Sequence, residues 1–203
     1  MNVNKILPFL LLLPFWASCT SKYKIEGTSS VNSLDGKMLY LKSLRDGEWV
    51  KLDSAEVVHG LFSMKGKIDS VQMVTLYMDD ESIMPIVLEN GKIKVNISNS
   101  DIKAVGSPLN TALYEFIEKR NRLEESIGEL EQKETRMVMD GGDLDEIHSQ
   151  LAVEGDSLMK EMNQYVKTFI STNYENVLGP NVFIMLCSSL TYPCLLYTSP
   201  SPR

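Results

Sequence analysis

Cysteine and histidine are the side chains in this chain best suited to chemistry, and they are few. The three cysteines are Cys19, Cys187 and Cys194, and no two are spaced as a redox pair or as zinc ligands. The two histidines, His59 and His148, are too few and too far apart in sequence to suggest a metal site. His59 precedes Gly60 between two strand-like stretches, so an exposed turn is expected there. His148 lies beside charged residues in a helical pattern, so a solvated face is expected. Asp53-Ser54 could be half of a nucleophile–base pair. No histidine pattern accompanies it, and alternation puts Ser54 on the inward side with Val50 and Leu52, which favours a structural role. Cys187 stands in an apolar helical stretch and reads as a small buried hydrophobe. These patterns assign no catalytic, cofactor-binding or metal residue.

Cys19 differs because of what precedes it. Residues 1–18 contain Lys5, an apolar run from Ile6 to Trp16, and the small residues Ala17 and Ser18. The run is too short for a bilayer span and is broken by Pro8 and Pro14, but it has the length of a secretory signal. A cysteine directly after two small residues resembles the lipobox of bacterial lipoproteins, although Trp16 stands where that pattern usually has an aliphatic residue. The resemblance implies a diacylglycerol on the Cys19 thiol, cleavage before Cys19, and a further acyl chain on the freed amino group. Membrane lipid is then the implied partner. Each buried methylene adds about 0.8 kcal/mol, so several chains give lasting attachment. The same residues leave open a non-lipidated secretory signal and an uncleaved anchor. Residues 19–22 would form a short tether. Thr20 to Lys24 lack the acidic cluster that sends some Bacteroidetes lipoproteins to the cell surface. By that resemblance the protein is an outer-membrane lipoprotein of the cell envelope facing the periplasm.

With 203 residues, 43% hydrophobic and 23% charged, the chain can bury one ordinary core and is not disordered by composition. Its net charge of −7 argues against nucleic acid as a partner. From residue 23 to 106 apolar and polar residues alternate in short runs broken by Gly, Asp and Asn, the pattern of antiparallel strands with one dry face. Asp46-Gly47 and His59-Gly60 read as turns. Pro85–Glu89 and Lys92–Ile97 flank Asn90-Gly91, which predicts a tight two-residue hairpin. The expected fold is mainly β with an α extension: an antiparallel β-sandwich of seven to eight strands, then an antiparallel helical hairpin.

Several ordered pieces carry a resemblance. They are Tyr23-x-Ile25-x-Gly27, Leu34-Asp35-Gly36-Lys37 with Tyr40-Leu41, Leu52-Asp53-Ser54-Ala55 with Gly60-x-Phe62, Pro85-Ile86-Val87-Leu88-Glu89 with Gly91, and Gly106-Ser107-Pro108-Leu109-Asn110. Over about residues 23–120 the chain resembles the domain of unknown function 4369 of Bacteroidetes lipoproteins. In many relatives that domain precedes a helical linker and a thioredoxin-like domain of the peroxiredoxin and TlpA type. The family assigns the domain no catalytic residues.

Ser107-Pro108 predicts a helix start, with Ser107 as N-cap. Leu109, Leu113, Phe116, Leu123, Ile127, Leu130 and Met137 form one stripe, and Leu144, Ile147, Leu151, Leu158, Met162, Tyr165 and Phe169 a second. Asp140-Gly141-Gly142-Asp143 separates them, which predicts a hairpin over residues 107–179. Folding about position 141 would bring Arg120 near Glu161 and Glu134 near His148. Such a hairpin offers a spacer, or a surface for a protein partner or self-association. Residues 180–193 read as the start of a truncated helical segment. Cys194 to Arg203 resembles a translated transposon-end sequencing adaptor, so Cys194 is read as carrying no biology. Two functions fit. One is a membrane-anchored lipoprotein whose β-sandwich is a non-catalytic binding or scaffolding module. The other is the amino-terminal region of a truncated, lipid-anchored thioredoxin-like thiol–disulfide oxidoreductase.

Overall fold

The computed structural model describes residues 21–187. The signal-like segment 1–18, Cys19, and the adaptor-like tail with Cys194 lie outside the described residues. Among the described residues eight strands form: β1 (Ser21–Ser29), β2 (Met38–Arg45), β3 (Glu48–Glu56), β4 (Leu61–Ile68), β5 (Gln72–Met78), β6 (Glu81–Leu88), β7 (Gly91–Ile97) and β8 (Ile102–Val105). They build two four-stranded sheets, ordered β4-β1-β7-β8 and β3-β2-β5-β6. The dry sides of both sheets face one another through Ile25, Leu39, Leu41, Leu76, Ile86 and Ile93, all without exposed surface. The expected sandwich is present, with β1 beginning at Ser21 inside the stretch read as a tether.

Two aromatic rings fix the pairing of β1 with β4. Gly27 lies opposite Phe62, and Tyr23 opposite Gly66. A Cβ built on Gly27 would lie 2.0 Å from Phe62 Cζ, and one on Gly66 would lie 2.7 Å from Tyr23 Cε1. Each ring therefore lies flat across the glycine of the partner strand, a device that shields a bare stretch of strand backbone.

Asn90-Gly91 does not make the predicted hairpin. β6 belongs to one sheet and β7 to the other, so these residues cross between sheets. β7 pairs in parallel with β1 and antiparallel with β8, and the β1–β7 ladder is the one parallel pairing among the described strands. Gly91 has φ +114° while Asn90 keeps a negative φ, so the two positive φ angles of a tight hairpin turn are missing. Asn90 instead accepts a hydrogen bond through Oδ1 from the Lys22 backbone N–H, at 3.1 Å. Tight reversals form at Asp46-Gly47 and His59-Gly60, where both residues have positive φ.

Three helices follow: α1 (Pro108–Met139), α2 (Leu144–Thr172) and α3 (Leu178–Leu186). α1 closes the open side of the sandwich, between the edge strands β6 and β8. Asn110, with no exposed surface, receives the Val87 backbone N–H on Oδ1 (2.9 Å) and donates through Nδ2 to the Val87 carbonyl (2.7 Å). One side-chain amide thus does for β6 what a ninth strand would do. Tyr114 donates its hydroxyl to the Pro85 carbonyl at 2.8 Å, and Pro85 brings no N–H to that edge. Ser107 occupies the N-cap position without capping the backbone; its hydroxyl accepts from Asn110 Nδ2 at 2.9 Å. The backbone N–H groups of Leu109 and Asn110 donate instead to Glu89 Oε1, at 3.0 and 3.2 Å. A carboxylate from the end of β6 therefore satisfies the orphan donors of a helix that starts 19 residues later.

α1 and α2 form the expected antiparallel hairpin. Phe116 stacks on Phe169 at 4.2 Å, Lys133 meets Glu154 at 2.5 Å, and Glu134 meets His148 at 2.9 Å. The expected Arg120–Glu161 pair is not made. Arg120 turns along its own helix to Glu124, and Lys119, on the flank facing α2 and over the Tyr165 ring, approaches Glu161 at 3.7 Å. Val166 and Ile170, outside the predicted stripe, join Leu178 and Val182 of α3 in the main core.

Replacing Asn110 with Ala leaves the Val87 N–H and carbonyl buried without partners. At about 1–3 kcal/mol per unsatisfied group, the expected loss is roughly 2–6 kcal/mol. A fall in the urea midpoint at unchanged m-value would show it, whereas an unchanged midpoint would mean that the amide does not seal the edge.

Candidate functional site

The sequence singled out Asp53-Ser54, and the structure explains the pair without catalysis. β2 and β3 slip register between Leu41 and Lys42: Leu41 opposes Asp53, but Lys42 opposes Lys51, which leaves Leu52 as the extra residue. This bulge inverts the alternation expected of β3. Ser54 falls opposite Tyr40 on the outer face, and Asp53 opposite Leu41 on the inner face, the reverse of the predicted sides. Turned inward, Asp53 Oδ2 accepts the hydroxyl of Tyr23 at 3.0 Å, and Oδ1 accepts the Ser54 backbone N–H at 2.8 Å. The carboxylate thus links the two sheets. No β-bulge signal is visible in the residues themselves, so simple alternation could not find it.

Histidine and cysteine are equally uncommitted to chemistry. His59 is exposed in its turn with φ +52°, as expected. His148 is exposed and pairs with Glu134. Cys187 is only partly buried at the end of α3, its Sγ 3.3 Å from the Ile184 carbonyl, and is not the buried hydrophobe that its apolar surroundings suggested. The helix is short, and its apolar neighbours Ile184 and Met185 are exposed as well. Among the described residues, no three His, Cys, Asp or Glu side chains gather as a metal would require. Every buried side-chain nitrogen or oxygen among them has a hydrogen-bond partner.

A cleft of about 710 Å³ opens between β8, β6 and α1, with Ile83, Ile102, Tyr114, Glu118 and Arg122 in its walls. Two ion pairs run along its walls, Glu118 with Arg122 at 2.6 Å and Asp101 with Lys103 at 2.6 Å, while Glu115 and Glu125 leave it acidic on balance.

Strand direction decides what surrounds the amino-terminal end of β1. Ser21 opposes Ile68, and Gly91 opposes Tyr23. Gln72 opposes Leu88, and Lys42 opposes Thr75. Ser21, the Arg45–Glu48 reversal, the 69–71 link and the 89–90 link therefore share one end of the sandwich. Cys19, the one site residue assigned from sequence, is two positions before Ser21.

The architecture defines the class: a mainly β, two-sheet sandwich with a helical extension. Within it, residues 23–113 match the family model described as Domain of unknown function (DUF4369). The match spans all but the first two residues of β1, the other seven strands and the first turns of α1, Asn110 included. No curated protein matches the chain.

Two phenols report on the interior. Burial first, then the charge and hydrogen bond of Asp53, raise the Tyr23 hydroxyl far above its ordinary range; burial alone does the same to Tyr114. The fold therefore favours the neutral phenols. Their contribution is complete below the unfolded value of about 10 and is lost as pH rises beyond it. In an alkaline absorbance titration, two of the eight tyrosines should ionise only together with the loss of near-ultraviolet circular dichroism.

Proposed function

We propose that this chain is a membrane-anchored lipoprotein, acylated at Cys19 and facing the periplasm from the outer membrane, whose β-sandwich is a non-catalytic binding or scaffolding module. The observation that carries this reading is the position of β1. Ser21 is already paired with Ile68, so only Thr20, an extended reach of about 7 Å from Cys19 to Ser21, separates a lipid-bearing Cys19 from a folded strand. A sandwich so closely tied to its anchor is held at the lipid surface. The commitment of Asp53, Glu89 and Asn110 to hydrogen bonds that join one element to another supports a binding rather than a catalytic role. The exposed outer faces of the helical hairpin offer the surface for a protein partner.

Lipidation is tested by growing cells that express the full chain or its Cys19→Ala variant with labelled palmitate. The full chain is expected to take up label and sediment with membranes, and the variant to take up none. Equal labelling of the two would remove the anchor.

A further inference from the structure

The charge of this acidic protein is unevenly distributed. Residues 108–172 hold 14 of its 27 acidic and 7 of its 20 basic residues, so the net −7 resides in α1, α2 and the turn between them. The sandwich and both termini balance at 13 of each, and six of those basic residues, Lys22, Lys24, Arg45, Lys65, Lys67 and Lys92, fall toward one end, where Asp46, Glu48 and Asp69 also lie. On the outer face of the first sheet, Lys22 lies directly opposite Lys67, and Lys24 opposite both Lys65 and Lys92. Like charges facing one another across a ladder are unfavourable. Glu26 answers two of them, bridging Lys24 at 2.6 Å and Lys92, and these contacts hold its carboxyl at about 2. Among the described residues, Lys22, Lys65 and Lys67 form no ion pair with a carboxylate.

This lysine field surrounds the end where Ser21 begins. At the same end, the tip of β2 and β3 runs past its neighbour: β5 pairs with β2 only from Leu39 to Lys42. Every residue from Leu44 to Lys51 is exposed. Leu44 has 56% of its surface in solvent and Trp49 has 50%, with Arg45, Asp46 and Glu48 between them in the reversal. The Trp49 ring packs edge-on against Tyr77 at 5.4 Å, which restrains it without covering it. Val71, in the neighbouring link, is also exposed.

We propose that this end of the sandwich docks on an anionic phospholipid surface, with Leu44 and Trp49 entering the headgroup layer and Lys22, Lys67 and Arg45 facing lipid phosphates. Tryptophan with flanking lysine and arginine is the composition of a membrane–water interface. Each cation near an anionic surface strengthens binding, and the acidic hairpin is repelled from it. The strands then stand upright on the membrane. The proposal rests on the anchor reading for its geometry, and its test separates the two.

The chain is expressed with its leader in a bacterium that acylates lipoproteins, in a Trp16→Phe background that keeps an aromatic residue before Cys19, so that Trp49 is the sole tryptophan. Mass spectrometry reads acylation. The protein is then placed on vesicles of phosphatidylethanolamine and phosphatidylglycerol whose acyl chains carry bromine. Trp49 emission is expected to shift to the blue, to be quenched by the brominated lipid and to be shielded from acrylamide. Lys22→Gln and Lys67→Gln should each lower the ratio of docked to undocked emission by about fivefold, and Leu44→Asp should abolish the shift. All three positions are exposed, so the fold survives these changes. Acylated protein whose Trp49 emission is unmoved and fully open to acrylamide overturns the docking while leaving the anchor intact. Should the protein carry no acyl chain, the anchor reading fails alone if vesicles still shift Trp49, and both fail if they do not.

Discussion

A single polar junction governs the layout of this protein: the place where α1 meets the exposed edge of β6. An edge strand presents unpaired N–H and carbonyl groups, and those of Val87 are fully enclosed, so they need partners. Asn110 supplies both, and Glu89 in turn supplies the acceptor that the start of α1 lacks. Neither element is complete alone. The strand needs the helix to satisfy its edge, and the helix needs the strand's carboxylate to begin. Gly106, with φ +91°, turns the chain from β8 into position for this exchange.

The opposite side is closed by a second bond of the same kind. Tyr23 and Asp53 join the two sheets near the β3 and β4 edges, and the register slip at Leu52 turns the carboxylate inward. Together the two junctions explain why the residues that carry the resemblance occur as a set. Gly27 accommodates Phe62, Glu89 caps the turn that opens with Pro108, and Asn110 reaches back to Val87. These pieces lie far apart in the chain because each is half of a contact. The family match ends just past Asn110, where the sandwich has been sealed.

What could be read without the structure was whatever depends on near neighbours. Alternation predicted seven to eight strands and eight form, Asp46-Gly47 and His59-Gly60 marked real reversals, and the two apolar stripes gave the helical hairpin. The failures depend on distant partners. Asn90-Gly91 has the composition of a tight turn, yet its flanking strands take partners in different sheets, and an arch between sheets has the same local alternation as a hairpin. The bulge at Leu52 reversed Asp53 and Ser54 because nothing in a two-residue period announces an inserted residue. Arg120 and Lys119 exchanged roles because one residue of rotation on a helix, about 100°, is finer than stripe counting resolves.

The junction at Asn110 also has a mechanical meaning. α1 has 32 residues and so extends about 48 Å from its first turn. That first turn is bonded into the strand edge, so the helix is a lever with its fulcrum in the sandwich. A sideways load at the far tip near Asp140 would be delivered, with the full advantage of that length, to the hydrogen bonds holding Val87. Leu113, Tyr114 and Phe116 in the core share that load with Asn110, so the first turns of α1 act as a clamp that resists it.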